Sequence, residues 1–140
     1  MESILNLAGD LIDKSNNIPD DIRPIVKAIC QGYIRETGGE ISIEEVIRVC
    51  ETKFTPQKDG LTKYDNKFKP FGLTDTTYDN DGKVRHEMEY ICDLSDPIRL
   101  ISNLTHEIGH VITEINDNTT LNKDNDFRFC NTTVGMKTSG

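Results

Sequence analysis

The chain begins with apolar residues that recur at the three- and four-residue spacing of an amphipathic helix. The apolar positions of this first segment are Ile4, Leu7, Ala8, Leu11 and Ile12. Asn16-Asn17 interrupt the pattern. A second helical segment begins at Asp20 or Asp21, accommodates Pro24 in its first turn and ends at Gly38-Gly39. These two segments predict a pair of N-terminal helices.

A third helix is predicted to begin at Ser42, because Ser42 and Glu45 have the spacing of a capping box. Thr55-Pro56 is expected to end it, since the residue before a proline is disfavoured in helical conformation. Residues 56–70 are rich in lysine and in turn-forming residues, which predicts a solvated loop.

The period of the pattern then changes from helical to alternating. The positions predicted to face inward are Val84, His86, Met88, Tyr90 and Cys92, which alternate with charged residues. This two-residue repeat is typical of a half-buried strand. Asn80-Asp81-Gly82 is a hairpin turn signal, so Gly72 to Tyr78 is the predicted partner strand.

A long helix is predicted after Ser95-Asp96-Pro97, with Ser95 or Asp96 as its cap and the proline in its first turn. Its apolar stripe, which should face the core, consists of Ile101, Leu104, Ile108, Val111, Ile112 and Ile115. His106 and His110 point almost the opposite way. They are therefore predicted to lie side by side on the outward face of the helix, one turn apart.

Composition limits the classes of function. With 16 Lys and Arg against 24 Asp and Glu, the 140 residues carry a net charge of −8, which repels phosphate backbones and argues against a nucleic-acid partner. The length fits a single domain. No apolar run approaches the roughly 18 residues that cross a bilayer, and the N-terminus lacks the pattern of an export signal. We therefore expect a cytoplasmic protein without a membrane partner.

The four cysteines are widely spaced and form no CxxC pair. Cys30, Cys50, Cys92 and Cys130 each lie among apolar or aromatic neighbours, so we expect reduced core thiols. A disulfide between two of them, or a role as ligand or reactive thiol, stays open at this point.

The strongest chemical signal is the segment His106-Glu107-Ile108-Gly109-His110. Two imidazoles four residues apart on one helix can converge on a single tetrahedral metal ion, while the intervening Glu is placed beside the ion. The pattern predicts that His106 and His110 are metal ligands.

This HExxH motif, on a core helix that follows a β-hairpin, resembles the zincin superfamily of zinc metallopeptidases. The resemblance covers about residues 84 to 115. It implies a zincin-like α+β fold with N-terminal helices, a small sheet and a long active-site helix. It also implies Zn²⁺ held by His106 and His110, with Glu107 as the catalytic general base that activates the zinc-bound water. By the same resemblance, the strand from Val84 to Cys92 would be the edge strand along which a peptide or protein substrate pairs.

A catalytic zinc site requires a third protein ligand, which the sequence does not identify. The metzincin branch is excluded, because Thr113 and Asn116 occupy the positions of its Gly and third His. Along a continuing helix, Asp117 would lie about 10 Å beyond His110. Glu114, in the next turn, is better placed to orient a ligand histidine, or is a solvated surface acid.

Other sources of the third ligand remain open. Asp124 or Asp126 could fold back after a turn, or the ligand is absent from this chain, which would then be a zincin-like domain (residues 1–140) lacking its C-terminal part. His86, the remaining histidine, is expected to have a core or hairpin role.

The sequence therefore predicts zinc-dependent hydrolysis of peptide bonds. The alternatives are a non-catalytic zincin-like binding module with an incomplete metal site, and a helical interaction protein that binds no metal.

Overall fold

The computed structural model describes residues 1–58, 61 and 72–114 of the chain. The elements in these residues are α1 (Glu2–Lys14), α2 (Arg23–Glu36), α3 (Ile43–Cys50), β1 (Lys53–Gln57), β2 (Gly72–Tyr78), β3 (Val84–Ile91) and α4 (Pro97–Thr113). The architecture is a small α+β fold, as the sequence predicts. Among the described residues, no helix has the length and apolarity needed to cross a membrane.

Short-range signals in the sequence place the element boundaries. The capping box at the start of α3 is present, and the Ser42 backbone N–H donates to Glu45 Oε1 at 2.7 Å. At the end of α2, Gly38 and Gly39 have φ values of 63° and 89°, which favour glycine. At the start of α4, Asp96 accepts a hydrogen bond from the Arg99 backbone N–H. These features confirm the predicted caps.

The three strands form one mixed sheet in the order β1-β3-β2. The predicted hairpin is confirmed: β2 and β3 pair antiparallel, with Tyr78 opposite Val84 and Gly82 at φ 80° in the turn. The prediction that Val84 to Cys92 forms an edge strand is wrong, because β3 lies between the other two strands. The described edges of the sheet belong to β1 and β2.

Strand β1 was not predicted from the sequence. The sequence predicts that the third helix runs to Thr55-Pro56 and that a loop follows, but α3 ends at Cys50 and residues 53–57 pair parallel with β3. Pro56 lacks a donor for a sheet ladder and is tolerated because β1 is at an edge. Most of the predicted loop, residues 59–60 and 62–70, lies outside the described residues.

Helix α4 packs between two layers, with α2 and α3 on one side and β2 and β3 on the other. The hydroxyl of Tyr33, on α2, donates to the Thr105 carbonyl oxygen of α4 at 3.4 Å inside the core. The predicted stripe is buried at Leu104, Ile108, Val111 and Ile112. Ile101 departs from the prediction: it is 36% exposed. Ile115 lies outside the described residues.

The C-terminal end of α4 is held by an arginine of α3. Arg48 Nη1 donates to the carbonyl oxygens of Val111 at 3.1 Å and Ile112 at 2.7 Å, and its Nη2 pairs with Glu114 Oε1 at 2.7 Å. The last carbonyls of a helix have no partner within the helix and carry partial negative charge. A guanidinium at this position therefore satisfies two of them and fixes α4 against α3.

The Arg48→Met variant should be less stable by about 1 to 3 kcal/mol, because two carbonyls lose a charged donor and Glu114 loses its partner. Urea unfolding of the metal-free protein measures the difference. The control is Arg85→Met, which removes only the ion pair to Asp79 at 3.3 Å from an exposed arginine and should cost less than about 1 kcal/mol. Equal losses in both variants would contradict the role of Arg48.

Candidate metal centre

Helix α4 brings His106, Glu107 and His110 into one cluster. The two imidazole Nε2 atoms are 3.2 Å apart, and the ring centroids are separated by 4.8 Å with the ring planes perpendicular. One ligand atom from each of the three side chains lies within 4.8 Å of the others. The structure therefore brings together the three residues that the sequence singled out, in a buried group that could hold a metal ion.

The separation of the two Nε2 atoms fits a shared divalent ion. With zinc–nitrogen bonds of about 2.0 to 2.1 Å, nitrogens 3.2 Å apart subtend an angle of about 100° at the metal, close to the tetrahedral value. Without an ion, the same distance requires one ring to donate N–H and the other to accept.

The prediction that the histidines face outward needs correction. They do lie on the face opposite the apolar stripe, but His106 is only 6% and His110 only 7% exposed. A helix that packs against a single layer leaves its polar face in water, whereas α4 contacts helices and strands on different sides. The cluster is therefore shielded from solvent, which strengthens electrostatic interactions within it.

Glu107 is held by strand β2, a contact that sequence reasoning missed. The Thr74 hydroxyl donates to Glu107 Oε1 at 2.7 Å, and Glu107 is 2% exposed. Gly72 lies directly against the same side chain: a Cβ at residue 72 would fall 2.7 Å from Glu107 Cγ and 3.0 Å from Oε2. No local pattern reveals this contact, because 33 residues separate Thr74 from Glu107 along the chain.

Glu114 does not belong to the cluster. It was expected in a further turn of the helix, but α4 ends at Thr113, and Glu114 adopts a left-handed conformation with φ 57° and pairs with Arg48. Asp117, Asp124 and Asp126, the other residues considered as ligands, lie outside the described residues.

His86 has the core role expected of it. It is 5% exposed on β3, and its Nδ1 lies 3.3 Å from the Thr76 hydroxyl. Burial lowers the pKa of the His86 imidazole, Glu114 raises it and Arg48 lowers it, with burial the largest effect. The neutral form is therefore favoured in the folded protein.

The described cysteines are free thiols, as predicted. Burial raises the pKa of the Cys30 thiol, and burial raises that of Cys50 to about 11. Because the thiolate is the form that binds metals and attacks electrophiles, these protonated thiols are poor candidates for either role. Cys130 lies outside the described residues.

Comparison of the chain with protein-family models, with curated proteins and with solved structures finds no match in any of the three. The functional argument therefore depends on the geometry of the cluster and its surroundings.

Zinc or cobalt titrated into metal-free protein without a histidine tag should bind at one ion per chain. His106→Ala and His110→Ala should each weaken binding at least 100-fold, because each removes one of two converging nitrogens. His86→Gln, which changes the third histidine, is the matched control and should bind like the wild type. Calorimetry and elemental analysis report affinity and stoichiometry; unchanged binding in both alanine variants would exclude this centre.

The lowered pKa of His86 predicts a dependence of stability on pH. Below about pH 6.5 the unfolded chain protonates this histidine while the folded protein resists protonation, so the free energy of unfolding falls as the pH falls. In chelator-treated protein, urea unfolding at pH 7.5 and 5.5 should show a smaller loss of stability for His86→Gln than for the wild type. An equal loss in both would show that His86 protonates as readily folded as unfolded.

Proposed function

We propose that this protein is a zinc-dependent hydrolase of peptide bonds. The observation that carries the proposal is a buried pair of imidazole nitrogens, 3.2 Å apart, next to a glutamate whose carboxylate is held by a separate strand. Two imidazole ligands and a neighbouring carboxylate outside the ligand set are parts of a metal centre for hydrolysis, which also takes a third protein ligand. The resemblance of the HExxH motif to zincins supports the same reaction.

Each residue has a distinct role in this proposal. His106 and His110 would hold the ion through their imidazole nitrogens. Zinc, when bound, polarises the scissile carbonyl and lowers the pKa of a water from 15.7 to about 7. Glu107 accepts the proton of the attacking water on its carboxylate and then donates it to the leaving amine nitrogen.

The edge of β2 is the proposed docking position for an extended peptide. In the described part of the chain, β2 is hydrogen-bonded to β3 along one side only. The same strand carries Thr74, which contacts Glu107, so a peptide added along this edge would lie beside the cluster. The substrate is therefore proposed to be a peptide or an unfolded protein segment.

Glu107→Gln should keep one zinc per chain. Its kcat/KM should fall at least 100-fold, because the amide cannot take up the proton of the attacking water. The substrates are a set of fluorogenic peptides and an unfolded protein, and zinc content is measured on the same samples. The control is wild-type protein stripped with a chelator and then reconstituted, which should lose and regain activity.

Two outcomes would contradict the proposal. Equal hydrolysis by the wild type and Glu107→Gln would show that this carboxylate is not the base. Zinc-loaded wild type that cleaves none of the substrates would favour the non-catalytic metal-binding module.

A further inference from the structure

One side of β2 faces α4 and contacts Glu107. Gly72, Thr74 and Thr76 alternate along this side; Gly72 and Thr74 meet Glu107, and Thr76 meets His86. Thr77 lies on the other side of the strand and is exposed. The helix side of β2 therefore contacts Glu107 at two successive inward positions.

We propose that Thr74 is a positioning residue for Glu107 and that Gly72 provides the space into which the glutamate side chain is folded. The inference rests on the proposed function, because it assigns the two residues a task in that reaction. It names residues of β2 that the HExxH motif does not contain. The reaction would then depend on a strand as well as on the helix.

The contacts explain why both residues are needed. A glutamate has three rotatable side-chain bonds, so helical position alone does not fix its carboxylate. At 2.7 Å, the Thr74 hydroxyl makes a short hydrogen bond to Oε1 and limits rotation of the carboxyl group. On the other side, Gly72 allows Cγ and Oε2 to approach the strand backbone more closely than any side chain would permit. Hydrogen bond and steric fit together define one position.

The Thr74→Val variant tests the hydrogen bond, because valine keeps the shape and the strand preference of threonine while removing the donor. We expect kcat to fall 10- to 100-fold with KM within about twofold of the wild type, and zinc stoichiometry to stay at one. Thr74→Ser keeps the hydroxyl and should recover most of kcat. Thr77→Val, a matched substitution three residues further along β2 on its exposed side, should behave like the wild type.

Crystal structures of the zinc-free variants supply a readout that does not involve activity. In Thr74→Val, Glu107 Oε1 should leave its position opposite residue 74, whereas Thr74→Ser should retain it. Gly72→Ala should displace the Glu107 side chain, since the added Cβ would lie 2.7 Å from Cγ. If Gly72→Ala does not fold, the two Thr74 variants still decide the hydrogen bond.

Failure of this inference can be told apart from failure of the proposed function. An unmoved carboxylate in Thr74→Val, or a kcat equal to that of the wild type, would overturn the positioning role even in an active enzyme. Wild-type protein that binds zinc without cleaving peptides would overturn the proposed hydrolysis. In that case the position of the carboxylate in the crystals still tests whether Thr74 fixes Glu107.

Discussion

The constraint on which the site depends is the burial of a polar helix face. His106, Glu107 and His110 are each less than 10% exposed, on a helix that packs against other helices and against a sheet. Removing a carboxyl group and two imidazoles from water is costly unless each finds partners within the protein or a bound ion. The two Nε2 atoms meet each other, and Glu107 meets the Thr74 hydroxyl. A divalent cation between the nitrogens would compensate for the burial of both rings.

The rest of the fold keeps α4 fixed so that this arrangement persists. At its start, Asp96 caps the first turn, and at its end Arg48 binds two terminal carbonyls and Glu114. Along its length, α2 and α3 cover the apolar stripe while β2 covers Glu107. Since the two imidazoles lie one turn apart on one helix, the separation of their nitrogens depends on side-chain rotamers and not on the meeting of distant elements.

The sequence predicted the features that depend on neighbouring residues and missed those that depend on residues far apart along the chain. The capping box of Ser42 and Glu45, the Gly82 turn and the Asp96 cap involve residues within a few positions of each other, and all are confirmed. Strand β1 was missed because its only evidence is parallel pairing with β3 more than 30 residues away, and because Pro56 suggested a loop. The same pairing with β1 places β3 in the middle of the sheet, which the sequence did not predict. The burial of the histidine face was missed for a related reason. The helical period predicts the face of the helix on which a residue lies, but it does not predict which other elements pack against that face.

The same division between short-range and long-range interactions applies to the residues of the site. The spacing of His106 and His110 predicted their convergence, because one helix contains both, whereas Thr74 and Gly72 come from a strand that no local pattern connects to Glu107. These strand contacts bear most strongly on the choice between an enzyme and a binding module. The buried carboxylate of Glu107 is hydrogen-bonded from another element and lies close to a glycine, and it could serve either as a ligand of a metal site or as the base of the proposed hydrolysis. Burial of such a group is costly for stability. The proton transfer proposed for Glu107 would account for this cost, and it depends on the strand contacts that hold the carboxylate beside the histidine pair.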